Sequence, residues 1–167
     1  MPFYPTDRRS SLRTRVFKWV MNLWPVYRGT GGWVTFISAD WQEIQVQLPL
    51  NLFTRNYVGT IFGGSIYSSI DPVYMLMLMK ILGKGYIVWD KAATIKFKKP
   101  GQSRLYTRFL LDDATIDEIK TAADNARSID RTFTVQLHDK HGTLCAEIEK
   151  VIYIRKKEEK TPPDRPV

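Results

Sequence analysis

Asn56-Tyr57-Val58-Gly59-Thr60-Ile61-Phe62-Gly63-Gly64-Ser65, followed by Asp71-Pro72, is the stretch that organises this chain. Three glycines make the first part a loop, and from about Gly64 to Leu82 the residues are apolar nearly all round. That pattern predicts one long buried helix, ended by Gly83. A Gly-Gly pair at a helix start lets the backbone approach a ligand closely. The free N–H groups of the first turn and the positive dipole end favour an oxyanion there. Acyl-transfer enzymes use that geometry on a tetrahedral intermediate, at about 3 kcal/mol per donor. Asp71 is the acid on this apolar helix, and a carboxylate so placed can serve as general base or nucleophile. Pro72 removes an N–H and frees a carbonyl one turn back, near Ser68, so the helix should kink or restart at the acid. Another reading stays open: Asp71 caps a second helix with Pro72 at its first position.

Short strands surround this helix. Trp33 to Ala39 is β-branched and aromatic, and in Glu43 to Leu48 the alternation of Ile44, Val46 and Leu48 with Glu43, Gln45 and Gln47 predicts one wet face. After the helix, Ala93, Ile95 and Phe97 alternate with Thr94, Lys96 and Lys98. Leu105–Leu111 and Phe133–Leu137 alternate likewise. Leu144 to Ile154 changes phase near Lys150, which suggests a bulge. Residues 116–127 read as a short helix with a Thr115–Glu118 capping box. The expected architecture is α+β, an antiparallel sheet covering one long helix.

In front lies a further helix, residues 10–24, with Leu12, Val16, Val20, Leu23 and Trp24 on one face and the arginines largely off it. It is read as packed on the domain by that face. A basic amphipathic helix on a membrane, or a transit peptide, is the other reading, and Trp19 and Trp24 suit either surface. The expected organisation is an N-terminal amphipathic helix (1–28), one domain (29–155) and a disordered charged tail (156–167).

The chain of 167 residues is 44% hydrophobic and 25% charged, enough for one domain with a real core. Its net charge of +8 asks for an anionic partner. Part of the excess sits in residues 1–28. Another part is Lys96, Lys98, Lys99, Arg104 and Arg108. The strand cluster can be a solvated edge face, or can meet phosphates of a nucleotide-like group. It lacks an aromatic platform or reader motif, so no nucleic-acid partner is expected. One cysteine, Cys145, excludes a disulfide framework and fits a reducing, cytoplasmic compartment; it reads as a buried strand residue. His138-x-x-His141 encloses turn residues and finds no third ligand, so no metal site is expected. The longest apolar run, Val73–Met79, is far short of the roughly 20 residues of a membrane span, and no secretory signal is recognisable.

The run N-x-x-G-T-x-x-G-G, with an acid seven residues after the second glycine, resembles the hotdog-fold acyl-CoA thioesterases. The similarity is to the phenylacetyl-CoA and thioesterase-superfamily-member type, above all a branch labelled thioesterase or domain of unknown function. The element order fits from about residue 30 to 155. The resemblance implies a hotdog fold and hydrolysis of an acyl-CoA, or an acyl-carrier thioester, to the free acid and CoA. It implies no cofactor beyond the coenzyme A of the substrate. By position, Asp71 would activate water or attack the thioester, the Gly63 N–H would polarise the carbonyl, and Asn56 would orient substrate. Gly59, Phe62, Gly64, Ser65, Asp90, Lys91, Lys98 and Lys99 would contact substrate, the lysines at the coenzyme A phosphates. The family often has His where this chain has Phe62. It also forms homodimers or dimers of dimers with the site between subunits, so Asp90 or Lys91 would reach a neighbour's Asp71. The alternative is a non-catalytic acyl-CoA or fatty-acyl binding protein that kept the pocket. Dehydratase chemistry on this fold needs a histidine near the loop, and residues 50–75 hold none.

Overall fold

The structure is a computed structural model and describes residues 4–157. Six strands form one antiparallel sheet: β1 (Trp33–Ile37), β2 (Glu43–Leu48), β3 (Tyr86–Phe97), β4 (Leu105–Leu110), β5 (Ile129–His138) and β6 (Leu144–Lys156). Their order is β1-β2-β4-β5-β6-β3. The helices α3 (Gly63–Ile70) and α4 (Val73–Leu82) pack against the sheet. This is the hotdog arrangement, as expected. Ile66, Ile70, Val73, Met77 and Leu78 meet Phe109, Val135, Ile148 and Ile152 in one core. Tyr74 stacks on Phe133 with centroids 4.5 Å apart and meets Phe109 edge-on, which burial of its hydroxyl accompanies by pushing that group up to about 12.

The central helix is two helices. Pro72 withdraws an N–H from the ladder, and the Tyr27 hydroxyl donates to the Ser69 carbonyl at 3.0 Å beside the break. Gly32 is required there: a Cβ on it would lie 2.8 Å from Ser69 Cβ. The cap reading of Asp71 is set aside, because α4 has Pro72 at its N-cap and no side-chain cap bond.

Six further expectations are corrected. The helices α1 (Leu12–Leu23) and α2 (Pro25–Gly29) do pack on the domain, but α1 does so through Thr14, Met21 and Asn22. Leu12, Val16, Val20, Leu23 and Trp24 face outward. Edge chemistry decided the orientation. The Asn22 amide accepts from the Val34 N–H at 2.7 Å and donates to the Val34 carbonyl at 2.9 Å, covering the open edge of β1. The face of β2 expected to be wet is largely dry: Glu43 and Gln45 are buried, under residues 4–6. The helix α5 (Asp113–Asn125) is capped by Asp112, whose carboxylate accepts from the Thr115 N–H, so Thr115 lies in the first turn. Near Lys150 the bulge lies on the neighbouring β3, between Asp90 and Ala92, and the irregularity of β6 itself falls at Cys145. Met79, expected in the core with Tyr74, Met75 and Leu78, is about half exposed. The tail expected from residue 156 starts later, because Lys156 still pairs with Tyr86 at the end of β6, and beyond Lys157 it falls outside the described residues.

Glu43 is fully buried, and burial alone would raise its pKa. The hydrogen bonds from Arg108 (2.9 and 3.1 Å), Gln45 (2.7 Å) and Thr6 (2.7 Å) hold it below the ordinary carboxylate range. A depressed native pKa adds stability above the ordinary carboxylate value, and that stability is lost as pH falls through the native value. Glu43→Gln should cost about 2–3 kcal/mol at neutral pH, near the low end for an orphaned buried ion. Urea melts of both proteins at neutral and acid pH check this: the gap should narrow as Glu43 protonates.

Candidate active site

Strand β6 alternates strictly, with Ala146, Ile148, Lys150, Ile152 and Ile154 all buried on the helix-facing side. One of the five is a lysine. Lys150 is 1% exposed, and its ammonium donates to Asp71 Oδ1 at 2.6 Å and stands 2.7 Å from Asp90 Oδ1. Asp71 arrives from the helix break and Asp90 from the strand beside β6, where the bulge at Lys91 resets the register. The Tyr67 ring closes the group with its centroid 5.2 Å from the ammonium.

One cation thus serves two carboxylates. Burial pushes Asp90 up and the charge of Asp71 adds to that, against Lys150, which lowers it. Burial opposes the charge on Lys150, but the two carboxylates outweigh it and hold the ammonium above the ordinary lysine value. Tyr67 is raised by burial and then by Asp71. Asp90 Oδ1 is buried without a well-aligned hydrogen bond, so the ion pair is its compensation. Asp71 differs from Asp90 in access, with 39% of its side chain exposed against 19%. It lines a cavity of about 560 Å³ between α1–α2 and the helix break, walled by Phe17, Val20, Trp24, Met75 and Leu76. A carboxylate paired with a buried ammonium and open to an apolar chamber is placed to accept a proton from a water there.

The glycine loop forms a second centre. Gly63 opens α3 after Phe62, and no side chain caps that end. A cavity of about 400 Å³ lies beside it, bounded by Asn56, Thr60, Gly63, Phe97, Lys98 and Lys99. The structure therefore brings Gly63 and two of the predicted lysines to one place. A Cβ on Gly63 would lie 2.8 Å from the Phe97 ring, so only glycine keeps the backbone open there. Gly64 has a packing reason, since a Cβ on it would run into the Phe62 ring. Asn56 shapes the loop: its Oδ1 accepts from the Val58 and Thr60 N–H groups and its amide donates to Thr60 Oγ1. Gly59 has φ +84° in that turn. Phe62 is exposed and Ser65 is buried.

Eight residues of helix, roughly 12 Å at 1.5 Å per residue, separate Gly63 from Asp71. Within one chain the two do not share a centre. Asp90 joins the Asp71 of its own chain through Lys150. Lys91 points elsewhere and pairs with Asp130 at 2.5 Å on the exposed side of the sheet. Lys150 is the site residue that sequence reasoning missed. Its signal was present, because a lysine occupies an apolar register between Ile148 and Ile152.

The family model described as a domain of unknown function, DUF4442, matches residues 13–154. No curated protein matches the sequence. Among solved structures, a Pseudomonas aeruginosa protein of unknown function described as a probable thioesterase superposes with a TM-score of 0.76 at 16% identity, over 89% of this chain and 99% of that one. A Haemophilus influenzae thioesterase gives 0.66 at 11% identity, over 93% and 99%. A Chlorobaculum tepidum protein of unknown function gives 0.68 at 11%, over 86% and 94%.

Proposed function

Given that this chain belongs to the DUF4442 family and has the hotdog fold, we propose that it hydrolyses an acyl-CoA, or a similar acyl thioester, with Asp71 as general base. The observation that carries the reading is the Asp71 carboxylate, held by buried Lys150 on the wall of an apolar chamber. Asp71 takes a proton from water, and the water oxygen attacks the thioester carbonyl. The C–S bond breaks, and the thiolate leaves with the proton that Asp71 took up. The acyl chain lies in the chamber lined by Val20, Met75 and Leu76. The oxyanion meets the Gly63 N–H of a second copy, which the 12 Å separation within one chain requires. The open edge of β3 is where that copy would pair, and Lys98 and Lys99 beside Gly63 would hold the phosphates of the coenzyme A moiety.

Thiol release from a panel of acyl-CoA esters, acetyl to palmitoyl, tests this. Turnover should rise with chain length, and Met75→Trp, which narrows the chamber, should move the optimum to shorter chains. One observation favours a second reading. Phe62 is exposed where the resemblance would place a histidine, leaving the glycine loop without that polar group. Chain-length-dependent binding without thiol release would make the protein a carrier of acyl-CoA and remove the hydrolase reading.

A further inference from the structure

Among the described residues the outward face of α1 is largely uncovered, with Trp19 meeting the edge of the Trp33 ring at 5.9 Å. Leu12, Val16, Trp19 and Leu23 recur at i, i+4, i+7 and i+11, and each is more than half exposed. Trp24 and Val26 continue the patch past the end of the helix and are likewise more than half exposed. A monomer rarely leaves so continuous an apolar stripe open to water without a use for it. The stripe is also framed by one sign of charge. Arg13 and Arg15 flank it at about 100° per residue, Arg9 and Arg28 lie before and after, and all four are exposed. From residue 8 to residue 39 the chain holds six cations and no acid.

We propose that α1 lies flat on an anionic phospholipid bilayer, with Leu12, Val16, Trp19 and Leu23 in the headgroup–acyl boundary and Arg13 and Arg15 at the lipid phosphates. This surface is independent of turnover at Asp71. Charge complementarity selects the occupant. A second copy seated on the same stripe would bring a second set of cations and no acid from residues 8–39 to the contact, whereas an anionic bilayer neutralises them. Tryptophan at a polar–apolar boundary and arginine beside an apolar stripe are the features of helices that lie in the interface plane. Among the described residues no helix is long and apolar enough to cross a membrane, so the contact is peripheral. The packing of α1 on the domain supports the geometry, because Thr14, Met21 and Asn22 anchor the opposite side and leave the stripe turned outward. Val20 and Trp24 belong both to this face and to the wall of the chamber beside Asp71, so the chamber opens next to the surface that would meet lipid.

Co-sedimentation of the full chain with vesicles tests it. The chain should bind vesicles of phosphatidylcholine mixed with phosphatidylserine at least about tenfold more tightly than phosphatidylcholine alone, and salt should weaken the binding. Val16→Glu with Leu23→Glu should abolish it. Arg13→Glu with Arg15→Glu should weaken it by about tenfold and flatten its salt dependence. These positions are exposed, so thermal melts of both variants should match the wild type. A protein that ignores the mixed vesicles, or binds them unchanged in the Val16→Glu/Leu23→Glu variant, overturns the proposal. So does a lower oligomeric state of that variant in ultracentrifugation with no vesicle binding by the wild type, which would make the stripe an interface between copies.

Discussion

Asp71→Asn is expected to lower kcat on the best acyl-CoA by about 10²–10⁴-fold, the usual range for losing a positioned general base. Asparagine has nearly the same shape and keeps an oxygen for the Lys150 ammonium to donate to, so the helix break and the chamber should persist. What disappears is the charge that draws a proton from water. KM should therefore change little, because the chamber and the lysines beside Gly63 make the binding contacts in this reading. The half-open position of Asp71, 39% exposed, means the amide can be solvated, and the melting temperature should stay close to that of the wild type. Steady-state kinetics and a thermal melt on the same preparation check both halves. Unchanged kcat would remove Asp71 from the chemistry.

The largest effect on stability is expected from Lys150→Met. Methionine fills most of the lysine volume and leaves two carboxylates facing each other without a cation. Orphaning a buried charge costs about 3–5 kcal/mol. The low end, about 3 kcal/mol, applies because water reaches Asp71. For a chain of this size that lowers the melting temperature by roughly 6–12 °C. A second substitution separates this electrostatic penalty from a packing defect. Asp90→Asn on the Lys150→Met background removes the more buried carboxylate and should restore part of the loss, because the two positions share one network. The alkaline limb carries the same information. The native pKa of Lys150 lies above its ordinary value, so its contribution is complete below the ordinary lysine value and is lost as pH rises through the native one. Lys150→Met should flatten that limb in urea melts recorded above pH 10. Equal melting temperatures for Lys150→Met and wild type would show that the triad does not hold the site together.

Much of the fold was legible because local rules and tertiary structure agree. The loop with its glycine pair, the apolar helix, the acid before Pro72 and the alternating strands all survive in the structure. The failures have a common physical origin. Periodicity shows that a face is apolar but not what it faces. In α1 the apolar stripe lost the interior to Asn22, because an amide could close the open edge of β1. In β2, Glu43 and Gln45 were read as wet, and a segment from residues 4–6 lies over them. In β6, Lys150 looked like a break in the pattern. It was the pattern continuing, with partners 79 residues away at Asp71 and on the neighbouring strand at Asp90. No local window contains such a pair. The glycine loop and its lysines were legible singly, but their shared cavity required the strands to bring Phe97, Lys98 and Lys99 back over Gly63.

The segment at residues 4–6 also bears on the order of assembly. Tyr4 bonds to Gln45 and to the carbonyl of Tyr106, contacts that span 41 and 102 positions of sequence. They have no place to dock until β2 and β4 have paired. The segment is thus a late arrival that fastens an already formed sheet, and interactions absent from a folding transition state act mainly on the rate of unfolding. Shortening the chain ahead of Arg8 should leave refolding nearly as fast while the folded protein opens sooner. In practice the beginning of this chain governs how long the sheet lasts more than whether it forms.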